Sequence, residues 1–374
     1  MTVVADLSRN LPPPVPETNQ AFRTVLTDLL VETDFTALTR THRFMGTERD
    51  RIQGGQWLAR RLGKAPSEER VVLTNGTLSA MNMIYPAIMR PGENLLTEPL
   101  TYPAVPAIAR QYGFRTASVA CDVDGMIPAA LDEACRRLSP KALYCLATLQ
   151  NPTTVVMPLS RRQEIIEIAR RYRVAIVEDD IYSALPADAP PPMSALAPDI
   201  SWYILGLGKS FTVGLRFAYV AAPSGTEAKR AFWPGVRSTF WMAAPITAAV
   251  VSHWMESGMA SRLLEAVRAE AAGRHTMAIS ALAGLDFASP PGAIHGWLKL
   301  PRGQREAFHA QIKARGVLAG DAGPFVTDGG PVPDAARVCF GSPETRDELA
   351  VGLKAIAETT LELGSHPSLM GERK

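Results

Sequence analysis

Cysteine is scarce in this chain. The four residues, Cys121, Cys135, Cys145 and Cys339, form no Cys-x-x-Cys pair. That argues against a disulfide framework or a thiolate metal site and fits reduced thiols in a cytoplasmic protein. An excess of one charge is lacking too. Lys and Arg number 39 against 37 Asp and Glu, a net charge of +2, which gives no sign of a nucleic-acid or acidic-surface partner. No apolar run reaches membrane-spanning length, and Met1 to Asn10 lacks the basic-then-apolar pattern of a signal peptide. Apolar residues are plentiful at 47%, enough for a sizeable core. With 374 residues, one large domain plus a smaller one is expected.

Residues 11 to 16, Leu-Pro-Pro-Pro-Val-Pro, cannot be helix and suit an extended arm. A short amphipathic helix is expected from Glu17 to about Glu32, with no room before it for a winged-helix DNA-binding module. From residue 70 onward, short β-rich runs alternate with helical stretches: Val71–Leu73, Asn94–Thr97, Arg115–Ala120, Ala142–Ala147, Val174–Val177, Trp202–Leu205 and Arg216–Val220. Such runs, separated by helix-length spacers, predict an α/β domain with a mostly parallel sheet. One spacer carries a start signal, with Ser160 as N-cap and Gln163 closing a capping box. A long helical stretch from Gly258 to about Gly284 reads as the bridge to a second domain. Beyond it, Gly296–Leu300 and Arg337–Phe340 as strands and Glu344–Leu363 as the last helix form a small α+β domain. The expected division is an arm and helix over 1–45, a large domain over 46–260 and a small C-terminal domain over 261–374.

Chemistry gathers at the ends of these strands. Lys209 follows one of them in a Gly-rich turn, Gly206-Leu-Gly208-Lys209. A lysine taken alone is usually exposed and inert. A Schiff-base lysine, however, needs a desolvated site that lowers its pKa, and a strand end in an α/β sheet supplies one. Seven residues on, Arg216 can return its guanidinium to a phosphate, although an ordinary surface arginine is the plainer reading. Val174-Ala-Ile-Val ends in three acids, Glu178, Asp179 and Asp180. Like charges crowded there are costly unless a cation neutralises one. A protonated pyridine nitrogen would do so, and an aspartate beside it makes the ring an electron sink. A solvated acidic loop or a metal site remains the alternative. Asn151 sits in an Asn-Pro turn after another strand, ordinary structure unless its amide meets a cofactor oxygen. Asn75-Gly76-Thr77 joins a strand to a helix, whose first N–H groups form an anion site with the Thr77 hydroxyl nearby. Tyr102 is either core or a ring that stacks on another.

In this order, these residues resemble the fold-type I pyridoxal 5′-phosphate (PLP) enzymes of the class I/II aminotransferase family. The likeness is greatest to the aminotransferase domain of GntR/MocR-type regulators and their stand-alone relatives. It rests on Leu73-Thr-Asn-Gly-Thr, Leu96-Thr-Glu-Pro-Leu-Thr-Tyr-Pro, Gln150-Asn-Pro-Thr-Thr, Val177-Glu-Asp-Asp-Ile-Tyr, Lys209 through Gly214-Leu-Arg216, Gly292 to Leu298, and Arg337-Val-Cys-Phe. It runs from about residue 41 to 365. The resemblance implies a mostly parallel seven-stranded sheet in a large domain with a smaller α+β domain. It also implies the roles. Lys209 holds PLP as a Schiff base and then shuttles the proton, and Asp179 pairs with the pyridine nitrogen. Asn151 and Tyr182 bond the ring oxygen, and Tyr102 stacks on the ring. Asn75, Gly76, Thr77 and Arg216 hold the phosphate. Arg337, with Asn151, takes the substrate carboxylate. No metal is implied.

The chain departs from the family pattern in three places. Glycines at 206 and 208 replace the serines of Ser-x-Ser-Lys, Val213 replaces the proline of Pro-Gly-Leu-Arg, and no tyrosine stands near Thr41 to Gly46. Phosphate binding is therefore expected to be weaker or arranged differently. The implied activity is amino transfer between an α-amino acid and a 2-keto acid. Elimination, replacement or carbon–carbon bond formation with the same cofactor is one alternative, and a regulatory domain that binds PLP without turnover is another. The stretch from Ser238 to Pro245 is unusually apolar for a loop, and relatives use this region in their dimer contact, which implies a homodimer.

Overall fold

The computed structural model describes residues 3–239 and 242–365. In chain order its strands are β1 (Ala5–Leu7), β2 (Val71–Thr74), β3 (Asn94–Thr97), β4 (Arg115–Ser118), β5 (Cys121–Asp122), β6 (Gly125–Met126) and β7 (Ala142–Cys145). Then follow β8 (Ala175–Asp179), β9 (Ser201–Gly206), β10 (Ala218–Ala221), β11 (Phe287–Ala288), β12 (His295–Lys299), β13 (Val317–Asp321) and β14 (Ala335–Cys339).

Seven of them form the large sheet, in the order β2-β10-β9-β8-β7-β3-β4. All neighbours are parallel except β10, which runs antiparallel to both β2 and β9. Each run expected from the sequence falls on one of these strands, its ends shifted by up to two residues. Four of them could be recognised by burial on both faces, whereas β4, exposed at both ends, is not of this kind. Every residue of β2, β7, β9 and β10 is buried, so these strands are near-continuous apolar runs rather than alternating ones.

The smaller sheet has the order β1-β13-β14-β12-β11. Its first strand comes from the far end of the chain. β1 lies parallel to β13, with Ala5 opposite Val317 and Leu7 opposite Ala319. The segment then crosses to the helix Pro16–Glu32, which buries Ala21, Val25 and Leu29 in the same cluster as Trp57, Tyr203 and Trp254 of the large domain. The arm therefore starts on one sheet and ends against the other domain. The helix Met259–Ala281 joins the two cores in the same way. Leu263 and Leu264 belong to the large domain's cluster, and Val267, Ala271 and Ala278 to that of the small sheet.

One expected helix start is corrected. The helix runs Leu159–Tyr172 with Pro158 at its N-cap and no side-chain cap bond. Ser160 lies in the first turn and is exposed. The end is fixed instead by Arg162, which is buried and donates to the carbonyls of Met157 (2.9 Å) and Ala147 (2.8 Å). Those anchors stand upstream of the serine and set the first turn earlier. All four cysteines are free thiols, and only Cys121 is exposed. Among the described residues, no helix is long and apolar enough to cross a membrane.

Candidate active site

The loops that follow the C-terminal ends of β8 and β9 meet a cavity of ≈ 290 Å³, the end of an open parallel sheet where ligand sites form. Gly76, Thr77, Tyr102, Asn151, Asp179, Tyr182, Lys209, Arg216 and Arg337 all line it. Asn75 does not: the turn before the helix carries it to the surface, where it is exposed.

The three acids at the end of β8 separate by direction, because successive side chains on a strand face opposite sides. Glu178 turns to the short helix Met193–Leu196 and accepts from Met193 N, Ser194 N and Ser194 Oγ at 2.6–2.9 Å. Asp180 accepts from the Tyr203 hydroxyl at 2.8 Å and has Arg61 at 3.6 Å. Asp179 alone lines the cavity. One of its oxygens accepts from the Tyr144 hydroxyl at 3.2 Å. The other, Oδ1, is buried and has no partner among the described residues. Burial, only partly offset by that tyrosine and by the Ile181 N–H, raises its carboxyl to about 7. A buried acid with a bare oxygen is what a protonated ring nitrogen would complete.

Lys209 enters from the turn after β9. Burial, aided by the nearby Arg337 and opposed by Cys339 and Asp179, lowers its amine to about 8. It donates to the carbonyl of Asn10 and lies 5.9 Å from the centre of the Tyr182 ring. A lysine so poised is neutral often enough near pH 8 to act as a nucleophile.

The helix Thr77–Ile88 begins here, with Gly76 at φ 86° as N-cap and no side-chain cap. Its first N–H groups are therefore open to an anion. Arg216, at φ 48°, brings its guanidinium to 3.9 Å from where a Cβ on Gly76 would stand. The two glycines of the lysine turn differ. A Cβ on Gly206 would sit 2.7 Å from Thr77 Cγ2 and 3.0 Å from the Ile181 side chain, so no serine fits there without displacement. A Cβ on Gly208 would meet Val213 Cα at an ordinary 3.6 Å.

Arg337, on β14, donates to Asn151 Oδ1 at 2.8 Å and to the Ser8 carbonyl at 2.7 Å. Its Nε is buried without a partner among the described residues. Phe325 lies beneath the guanidinium, 4.9 Å to the ring centre. Because Asn151 spends its oxygen on Arg337, its amide N–H₂ is left to point into the cavity. Tyr102 is half-buried, and burial raises its phenol.

Sequence reasoning missed the arm's share. Asn10 lines the cavity. Its Nδ2 donates to the Tyr182 hydroxyl at 2.9 Å and lies 3.3 Å from His295 Nδ1. These partners stand 172 and 285 residues away, a separation that no local pattern reports. The cavity residues fit PLP: a bare buried acid, a depressed lysine, an arginine beside an uncapped helix start and a second arginine beside Asn151.

A family model described as "Aminotransferase class I and II" matches residues 36–353. The chain is 27% identical over 297 residues to the uncharacterized HTH-type transcriptional regulator YdeF of Bacillus subtilis (strain 168), covering 79% of this chain. It spans 64% of that relative's length. The structure is similar to that of a Pyrococcus horikoshii kynurenine aminotransferase in complex with PMP, with a TM-score of 0.85, 22% identity, and 97% and 91% of the two chains covered. It is also similar to LysN, an alpha-aminoadipate aminotransferase of Thermus thermophilus solved with N-(5′-phosphopyridoxyl)-L-leucine: TM-score 0.84, 22% identity, and 97% and 93% covered.

Proposed function

Since the chain belongs to the aminotransferase class I and II family, we propose that it is a PLP-dependent aminotransferase that moves an amino group between an α-amino acid and a 2-keto acid. The observation that carries this reading is the bare, buried Oδ1 of Asp179 in the same cavity as a lysine lowered to about 8. When bound, the cofactor supplies an aldehyde for amines and a ring that accepts the electron pair left behind by a departing α-proton.

The protein's part is binding, orientation and proton movement. Lys209 Nζ would hold the cofactor's aldehyde carbon and, as a free amine, would serve as the base that takes the proton from the substrate Cα. Asp179 Oδ1 holds the ring-nitrogen proton. The Asn151 amide and the Tyr182 hydroxyl donate to the ring oxygen, and Tyr102 covers a ring face. The helix start at Gly76–Thr77 and Arg216 hold the phosphate. Arg337 takes the substrate carboxylate as a fork in place of the Ser8 carbonyl.

A second reading has one observation in its favour: the likeness to proteins named as transcriptional regulators. In it the chain binds PLP and an amine ligand without turnover. One experiment tests both. The PLP-loaded protein is offered a panel of amino acids, and 2-keto acid and pyridoxamine phosphate are quantified. Equal amounts of both, with reversal on adding a keto acid, are expected. Binding of amines with no keto acid formed would favour the second reading. Borohydride reduction followed by peptide mapping should label Lys209, and label on another lysine would overturn the site.

A further inference from the structure

The direction of one proton in the cavity follows from a carbonyl outside it. His295 is fully buried, and burial together with the charge of Arg337 lowers it to about 3, so its ring is neutral. Its Nε2 faces the carbonyl of Gln150 at 3.4 Å. A carbonyl can only accept, so the single ring proton sits on Nε2 and Nδ1 is left as an acceptor. Nδ1 faces the Asn10 side chain at 3.3 Å. An acceptor there requires the amide to present N–H₂ rather than oxygen. The second hydrogen of that N–H₂ is then directed at the Tyr182 hydroxyl, 2.9 Å away. Turning the amide over would set its oxygen against the Nδ1 lone pair. Correcting that by moving the ring proton would set Nε2 against the Gln150 carbonyl.

Tyr182 is buried, and desolvation keeps its phenol protonated. Its hydroxyl oxygen receives a hydrogen from Asn10, so its own hydrogen must go elsewhere. The charged and titratable groups around it are Arg337, Cys339, Asp179, Tyr102, Lys209 and His295. None of the others within the described residues makes a hydrogen bond to that hydroxyl. We propose that Asn10, oriented by His295, is a positioning residue that turns the Tyr182 hydroxyl proton into the cavity, toward the cofactor's ring oxygen. This inference rests on the cofactor reading given above for Tyr182.

The test is the pH midpoint of the visible absorbance of PLP bound at Lys209, read together with the dissociation constant of pyridoxamine phosphate. A donor to the ring oxygen favours its anionic form and so holds the midpoint low. Asn10→Ala lets the hydroxyl rotate and should raise the midpoint by roughly 0.5–1 unit. Asn10→Asp offers an acceptor that captures the tyrosine proton, so its rise should be the larger of the two. In a Tyr182→Phe background, Asn10→Ala should add nothing. Both Asn10 variants should also bind pyridoxamine phosphate several-fold more weakly. If Tyr182→Phe itself leaves the midpoint unmoved, the reading of Tyr182 fails and the inference falls with it. If Tyr182→Phe moves the midpoint but the Asn10 variants do not, or if the two effects add, Tyr182 keeps its role and the positioning by Asn10 is refuted. An Asn10→Asp protein that matches wild type would show that the amide accepts from Tyr182, the opposite of what is proposed.

Discussion

Glu178, Asp179 and Asp180 are chemically almost alike, and their neighbours make them different. Glu178 has donors on both oxygens, while Asp179 and Asp180 each keep one oxygen bare among the described residues, and of the three only Asp179 lines the cavity. This contrast was half-legible. The family resemblance pointed to Asp179, and alternation along a strand lets only one of Asp179 and Asp180 face the cavity. The partners of the other two, Ser194 and Tyr203, come from other elements and leave no local trace. The bare acid has a cost. Its folded-state carboxyl, raised to about 7, lies above the value in an unfolded chain. Stability is therefore unaffected below about pH 4 and is lost as pH rises from there through 7. Asp179→Asn removes that loss. The apoprotein variant should exceed wild type in stability at pH 8, by at most about 4 kcal/mol, with no advantage near pH 4. Urea unfolding of both apoproteins at the two pH values is the measurement. The same variant should hold PLP poorly, since it no longer fixes the ring proton. An advantage that does not change with pH would mean that Oδ1 is not desolvated.

Legibility followed length and burial in part: the five-residue β13 was missed, and the largely exposed β4 was recognised. Strands buried on both faces announced themselves as apolar runs. The two- and three-residue strands β1, β5, β6 and β11 carry too few side chains to form a pattern. The Ser160 signal was real chemistry in the wrong turn, overridden by the buried Arg162. At the turn after β9 the missing serines have two different explanations. Gly206 is crowded by Thr77 and Ile181, whereas Gly208 has ordinary room and no left-handed φ. Gly208→Ser should therefore be accepted and add a donor near the phosphate. Gly206→Ser should push the helix start aside and weaken binding. Arg216→Ala should weaken it about ten- to a hundredfold, the worth of one charged hydrogen bond. Dissociation constants for pyridoxamine phosphate, which has no covalent tether, report all three. If Arg216→Ala binds like wild type, the phosphate lies elsewhere.

At the scale of the whole molecule, surface apolar residues bear on assembly. Leu30 and Val31, on the helix Pro16–Glu32, are 72% and 83% exposed, and Trp233 is also exposed. We propose that a partner subunit covers such residues; Phe240 and Trp241, in the stretch that pointed to a homodimer, lie outside the described residues. Analytical ultracentrifugation should find a dimer at micromolar concentration, and a fully active monomer would overturn the expectation. The crossing arm has a consequence in time. Ala5 pairs with Val317, so the first strand to leave the ribosome waits for residue 317 to be made, roughly 15–60 s at ordinary synthesis rates. The large sheet, complete once residue 221 is out, waits less: its β2 needs only β10, at Ala218–Ala221. Joining ends so distant is slow, because the loop must close before any contact rewards it. The arm's contacts to Lys209, Tyr182 and Arg337 are then among the last to form. During refolding from denaturant, far-ultraviolet circular dichroism should recover before the capacity to bind PLP, and a chain lacking residues 1–10 should show the first recovery without the second.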